Sequence, residues 1–253
     1  MPVPTSEILS ELDRVLEPGR FEDYAINGLQ VPGAESTSTV ATGVSAHAEL
    51  FELAASERAD LLIVHHGLFW GAQLFAIDAA LRRRLQLLFD AQIALAAYHL
   101  PLDAHLELGN NALLARALGA SELSRFAMHR GEPIGVIGTL TEGVAANELF
   151  ERVRESTGRE PLVFDSGPER VRTIAVVTGA GAGYLREAVA AGAHAFITGE
   201  PAERVMAEAR EARVHFIAAG HYATETFGVR NLGELVAKRF GVRHVFLDVP
   251  NPV

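Results

Sequence analysis

Cysteine is absent from the 253 residues. That absence excludes disulfides, thiolate zinc sites, iron–sulfur clusters and cysteine nucleophiles. Any metal must be held by imidazole and carboxylate, a donor set that suits zinc, iron, manganese, nickel or cobalt. Basic charge is in deficit: 22 Lys and Arg face 32 Asp and Glu, for a formal charge of −10 and a pI near 5.5. Broad non-specific binding to nucleic acid is therefore disfavoured, although a local basic patch is not excluded. No apolar run approaches the roughly 20 residues a membrane helix needs. The opening Met1-Pro2-Val3-Pro4-Thr5-Ser6-Glu7 has neither a basic n-region nor an apolar h-region. A cytoplasmic protein with no membrane partner is expected. What the chain does have is apolar patterning: 49% of it is hydrophobic, and its length can bury one large core or two smaller ones.

The patterning alternates short apolar runs with amphipathic stretches. Helices are predicted over 6–16 (N-cap Ser6), 48–57, 77–90, 110–118, 145–157, 183–191, 202–210 and 221–240. Strands are predicted over 40–44, 60–64, 93–98, 134–140, 162–164, 173–178, 195–198, 214–218 and 245–248. Strands alternating with helices imply an α/β protein with mostly parallel sheets. The halves look related. Val40-Ala41-Thr42-Gly43 parallels Val176-Val177-Thr178-Gly179, and His99-x-x-x-Asp103 parallels His221-x-x-x-Glu225. Two similar lobes are expected, 1–125 carrying His65, His66 and Asp103, and 126–253 carrying His221 and Glu225. The boundary is approximate, and the lobes can exchange terminal elements.

His65 and His66 end the apolar run Leu61-Leu62-Ile63-Val64 and precede Gly67-Leu68-Phe69-Trp70. Open α/β sheets place ligands at the carboxyl ends of their strands. Adjacent strand residues point to opposite faces, so both imidazoles reach one site only if the strand twists into a loop there. Divalent metal is the leading reason to place two histidines so. His221 and Glu225 follow another apolar strand and, four apart on a helix, share a face. Asp103 sits in the equivalent loop after the strand at 93–98. Five such ligands exceed the needs of one tetrahedral ion and suit two ions sharing a carboxylate, roughly 3.5–4 Å apart.

The remaining histidines carry less. His129, His194, His215 and His244 fit core or surface roles, and His47 and His105 have no assigned role. His99 is either a residue that orients a ligand or transfers a proton, or a plain loop histidine. Thr178-Gly179-Ala180-Gly181-Ala182-Gly183 could offer N–H groups to an anion, but it lacks the Walker and dinucleotide spacings and reads first as a tight strand-to-helix turn. Arg82-Arg83-Arg84 is a solvated face or an interface contact.

Together, Asp23-Tyr24-Ala25-Ile26-Asn27-Gly28-Leu29-Gln30, His65-His66-Gly67-Leu68-Phe69-Trp70, Tyr98-His99-Leu100-Pro101-Leu102-Asp103-Ala104-His105, Thr198-Gly199-Glu200 and Gly220-His221-Tyr222-Ala223-Thr224-Glu225 resemble the NIF-three-like family of GTP cyclohydrolase 1 type 2 homologs. They occur in the family's order across nearly the whole chain, which looks like the short bacterial form without the inserted domain. The resemblance implies two α/β lobes facing each other across a dinuclear metal centre, and a ring-shaped homohexamer. It carries the metal ligands onto His65, His66, Asp103, His221 and Glu225, with Glu225 as the bridge. It directs a metal-dependent hydrolase towards GTP, by ring opening with loss of formate and with His99 as proton shuttle; phosphoester hydrolysis fits the same metal site. The alternative is a non-catalytic metal-binding or scaffold ring that engages a partner or nucleic acid. Two departures stand out: Tyr222 occupies a position where many relatives have a second histidine, and, after Glu200-Pro201, Ala202 replaces a frequent serine.

Overall fold

The computed structural model describes residues 2–71 and 76–253. The chain divides into two units. The first takes the chain up to Leu102 together with Gly228–Val249, and the second takes Asp103–Phe227 with Pro250–Val253. Residue 125 thus falls inside the second unit, and the last long helix and strand return to the first.

In the first unit, Thr39–Ser45, Leu61–His66 and Ala94–Ala97 lie parallel and adjacent in sequence order. Arg243–Phe246 adds a parallel strand at one edge and Gly28–Val31 an antiparallel one at the other. Leu61, Leu62, Ile63 and Val64 are all fully buried, which is why this strand is a continuous apolar run without alternation. Leu62, Val64, Leu95 and Ala97 meet Leu50, Phe51, Ala54 and Leu88 in one core. The last four come from the helices Ala48–Ser56 and Ala79–Asp90. His47 caps the first of these, accepting from the Leu50 N–H at 3.3 Å, and Asp78 caps the second, accepting from Leu81 at 2.7 Å. The predicted helix start at Ile77 moves to Ala79 because Asp78 supplies that cap.

The second unit holds the corresponding parallel trio, Arg170–Val177, Ala195–Thr198 and His215–Ala218. Its sheet is mixed, unlike the mostly parallel first sheet. Leu162–Phe164 joins antiparallel at one edge, and Glu132–Ala145 then Ser121–His129 extend the other. Ser121–His129 escapes the sequence reading because only Phe126 and Ala127 in it are buried. With most of the strand facing water, no apolar alternation marks it. Ile174, Val176, Ile197 and Ile217 pack with Leu114, Leu118, Leu149 and Val153 from the helices on this sheet.

Two further predictions shift. The first helix runs Thr5–Leu16 and starts after Pro4, with no side-chain cap, so Ser6 lies inside it. The predicted helix 221–240 is two helices, His221–Thr224 and Thr226–Phe240, broken at Glu225. The parallel between 40–43 and 176–179 holds for the strands and ends at the threonine. Thr42 and Gly43 remain in their strand, whereas the second strand stops at Val177 and Gly179 adopts φ +62°. Among the described residues no helix is long and apolar enough to cross a membrane.

Candidate metal centre

His66 is the last residue of its strand, paired in register with Ser45. The chain turns at Gly67, and the two imidazoles end with ring centroids 4.7 Å apart. The twist demanded of two neighbouring histidines is therefore present. His65 is fully buried, and its Nδ1 lies 3.0 Å from the Tyr98 carbonyl. A carbonyl can only accept, so Nδ1 carries the proton and Nε2 the lone pair in the neutral ring. His66 Nδ1 lies 3.0 Å from Ser45 Oγ.

His99 joins this pair. Its ring is 5.0 Å from that of His65 and 5.6 Å from that of His66. One ligand atom from each of the three lies within 4.8 Å of the others, comparable to twice a metal–nitrogen bond of roughly 2.1 Å. His99 Nδ1 donates to Asp23 at 3.0 Å. Asp23 also accepts from the N–H groups of Ala25 and Leu100 and from Asn27 Nδ2 at 2.9–3.0 Å. Burial pushes the Asp23 carboxyl up, but the bond and charge of His99, with those from Ala25 and Asn27, outweigh it and hold it at about 2. The carboxylate stays ionised and fixes the ring, leaving Nε2 to face the other histidines' group, the arrangement found behind metal-bound or proton-transferring imidazoles.

This bonding explains the motif Asp23–Gln30, which the sequence marks only through the family resemblance. Asp23 and Asn27 hold His99, while Gln30 Oε1 accepts from the Leu68 N–H at 2.7 Å and so fastens the turn after His66. A Cβ on Gly67 would overlap the Gln30 amide, so this turn needs glycine there.

Asp23 also gives a stability prediction. Its carboxyl is lower in the folded chain, about 2, than its ordinary 3.8, so the folded state favours the ionised form. The contribution, on the order of 2 kcal/mol, is complete above pH 3.8 and is lost as pH falls through about 2. Denaturant unfolding of wild type and Asp23→Asn is expected to show a stability difference that shrinks over that window. A difference independent of pH there rejects the assignment.

In the second unit, His221 Nε2 lies 3.1 Å from Glu225 Oε1, and His221 Nδ1 bonds Glu200. Burial pushes this imidazole down, but the bonds and charges of Glu225 and Glu200 more than offset it and raise it to about 9. The surroundings thus favour positive charge, and a set of carboxylate oxygens and imidazole nitrogens fits a divalent cation. The His221–Glu225 pairing does not come from a continuous helix face: Glu225 sits at the break, φ −107° and ψ 4°, with its side chain 3% exposed. A Cβ on Gly179 would overlap Glu225 and crowd His221, so this αL position serves the carboxylate. The Thr178 N–H donates to Asn111 Oδ1 and the Gly179 N–H to Thr224 Oγ1. Both are spent inside the protein, which supports the tight-turn reading over an anion loop.

Asp103, buried, accepts from Asn110 Nδ2 at 2.9 Å and Thr178 Oγ1 at 3.3 Å. Asn110 and Asn111 are fully buried polar residues that sequence reasoning passed over as ordinary helix. The signal available was an adjacent pair of amides opening an apolar helix seven residues after Asp103. Glu200 was noted only within a motif. The other histidines are structural: His215 Nε2 donates to the Pro168 carbonyl, His194 accepts from the Arg172 N–H, His244 meets Thr42, His129 meets Tyr184, and His105 accepts from Glu107 and Leu108. Arg83 pairs with Glu52 on an exposed face.

Comparison with known proteins identifies the family. A GTP cyclohydrolase 1 type 2 homolog of Pseudomonas aeruginosa is 42% identical over 252 residues, covering all of both chains. The solved structure of the protein ybgI, described as of unknown function, has a TM-score of 0.91 at 41% identity and covers 99% of this chain and 100% of that one. TTHA1606 from Thermus thermophilus gives 0.91 at 40% identity with the same coverage. The family model described as Duf34/NIF3 (NGG1p interacting factor 3) matches residues 3–252. With the strand-end histidines, the His221–Glu225 pair and these matches in hand, the chain belongs to the Duf34/NIF3 family.

Proposed function

We propose that the protein is a hydrolase dependent on two divalent metal ions, held by His65, His66, Asp103, His221 and Glu225, with Glu225 shared between them. The observation that carries this reading is the cluster of imidazoles His65, His66 and His99. Their nitrogens converge within 4.8 Å, and the Nδ1 atoms of His65 and His99 are tied back by Tyr98 and Asp23. The buried Glu225 beside His221 supports it from the second unit. When bound, two such ions lower the pKa of water and polarise the bond under attack. The protein's own part is to keep the donors deprotonated and oriented, and to move a proton at His99 Nε2 while Asp23 holds Nδ1.

The name of the relatives directs the substrate towards GTP, with hydrolytic opening of the imidazole ring and release of formate. Phosphoester cleavage would use the same donors. The reading includes the homohexameric ring that the family resemblance implies. Protein purified without chelator is expected to hold close to two divalent ions per chain by elemental analysis, to run at six times the chain mass by light scattering, and to turn over GTP or a phosphoester only when loaded with metal. Metal content near zero after reconstitution rejects the centre. Full metal with no turnover across a broad substrate screen selects the binding ring instead.

A further inference from the structure

Beside the histidines lies a pair of rings that the metal chemistry leaves unused. Tyr24 and Trp70 stack with centroids 5.4 Å apart and planes 29° from parallel. Both rings lie 5.3 Å from that of His99 in T-shaped contacts, at 72° and 81°, and Trp70 lies 5.8 Å from His66. Tyr24 is nonetheless 51% exposed. Its exposure is not that of a loose loop. Ala25 bridges Trp70, the Ile26 N–H donates to the Phe69 carbonyl at 3.3 Å, the Gly71 N–H donates to the Tyr24 carbonyl, and Trp70 Nε1 donates to the Gly67 carbonyl at 3.1 Å. The backbones of the two loops are tied to each other, so the rings are held in place before any ligand arrives, and little ordering cost remains for binding.

A stacked pair with one half-exposed member offers its open surface to a third flat ring, because aromatic systems favour offset stacking and every heteroaromatic base has such a face. We propose that Tyr24 and Trp70 form a stacking subsite for the planar heteroaromatic ring of the substrate, next to the histidine cluster. The inference deepens the function proposed above and rests on it for the reacting neighbour. It assigns the ring-recognition part of that site to residues that hold no metal. A ring seated there is a neighbour of the group that includes His99.

Trp70 is the only tryptophan in the chain, so its fluorescence reports this place alone. Guanosine, which carries the ring without phosphate, is expected to quench Trp70 saturably, whereas ribose 5-phosphate is not. Tyr24→Leu keeps an apolar side chain but removes the ring, and is expected to weaken guanosine binding by roughly 10- to 100-fold. Tyr24→Phe keeps the ring and is expected to bind close to wild type. Metal content, measured on each variant, is expected to be unchanged. Absence of quenching, or equal guanosine affinity in Tyr24→Leu and wild type, overturns the subsite. So does a Tyr24→Leu variant altered only in oligomeric mass, which would make the ring pair a contact between copies. Guanosine binding that depends on Tyr24 in protein that takes up no metal supports the subsite while the metal-dependent reading fails. Full metal with no guanosine binding does the reverse.

Discussion

Glu225→Ala is expected to strip the protein of most of both metal ions and to abolish metal-dependent turnover, whereas His65→Ala is expected to retain part of the metal. Glu225 is almost fully buried at a break between two helices, beside an imidazole raised to about 9 by its company of carboxylates. Removing Glu225 takes away the carboxylate proposed to serve both ions, together with one of the two acidic neighbours that make the place favourable to a cation. His65→Ala deletes one neutral nitrogen from a group in which His66 and His99 remain. Elemental analysis of the two variants, purified side by side and checked for native circular dichroism, decides it. Metal loss in Glu225→Ala equal to or milder than that in His65→Ala removes the bridging role.

The second large effect is expected at His99. Its Nδ1 is fixed by an ionised Asp23, and its backbone N–H is held by Asn27 Oδ1 at 2.8 Å, so the ring has one orientation and one nitrogen left for chemistry. His99→Ala is expected to keep its metal and to slow turnover by roughly 10²- to 10⁴-fold, the range over which a positioned acid–base group acts. Rate and metal content must be measured on the same preparation. Full metal with an unchanged rate takes His99 out of the reaction. Loss of metal together with the rate makes it a ligand, a role its spacing to His65 and His66 also allows.

Much of this candidate site is legible in the sequence. The run ending at His65-His66 marks a buried strand because it lacks polar alternation, and the chemistry of paired histidines at such an end points to metal. The same holds for Gly220–Glu225 after its own apolar strand. Cysteine's absence fixed the donor chemistry, and order along the chain fixed the parallel trio of strands in each unit, since short connections force consecutive elements to be neighbours. Local signals of this kind survive in sequence because period and composition act over a few residues.

What the tertiary structure decided is what depends on residues far apart. Asp23 and His99 are separated by 76 positions and Glu200 and His221 by 21, so no spacing in the chain announces that each imidazole has a carboxylate behind it. Asn111, holding both the Asp103 carbonyl and the Thr178 N–H, is an ordinary helical residue until the second unit folds around it. The edge strand Ser121–His129 is invisible to apolar periodicity because its stability comes from pairing with Glu132–Ala145 and not from its own burial. The helical pattern is broken at Glu225, next to Thr224, whose Oγ1 accepts from the Gly179 N–H 45 residues away. Sequence determined which residues have the chemistry for a metal; the folded chain determined that Nδ1 of His65 and of His99 is tied back and Nε2 is the nitrogen that could serve one, because that choice is made by hydrogen bonds to partners brought in from elsewhere in the chain.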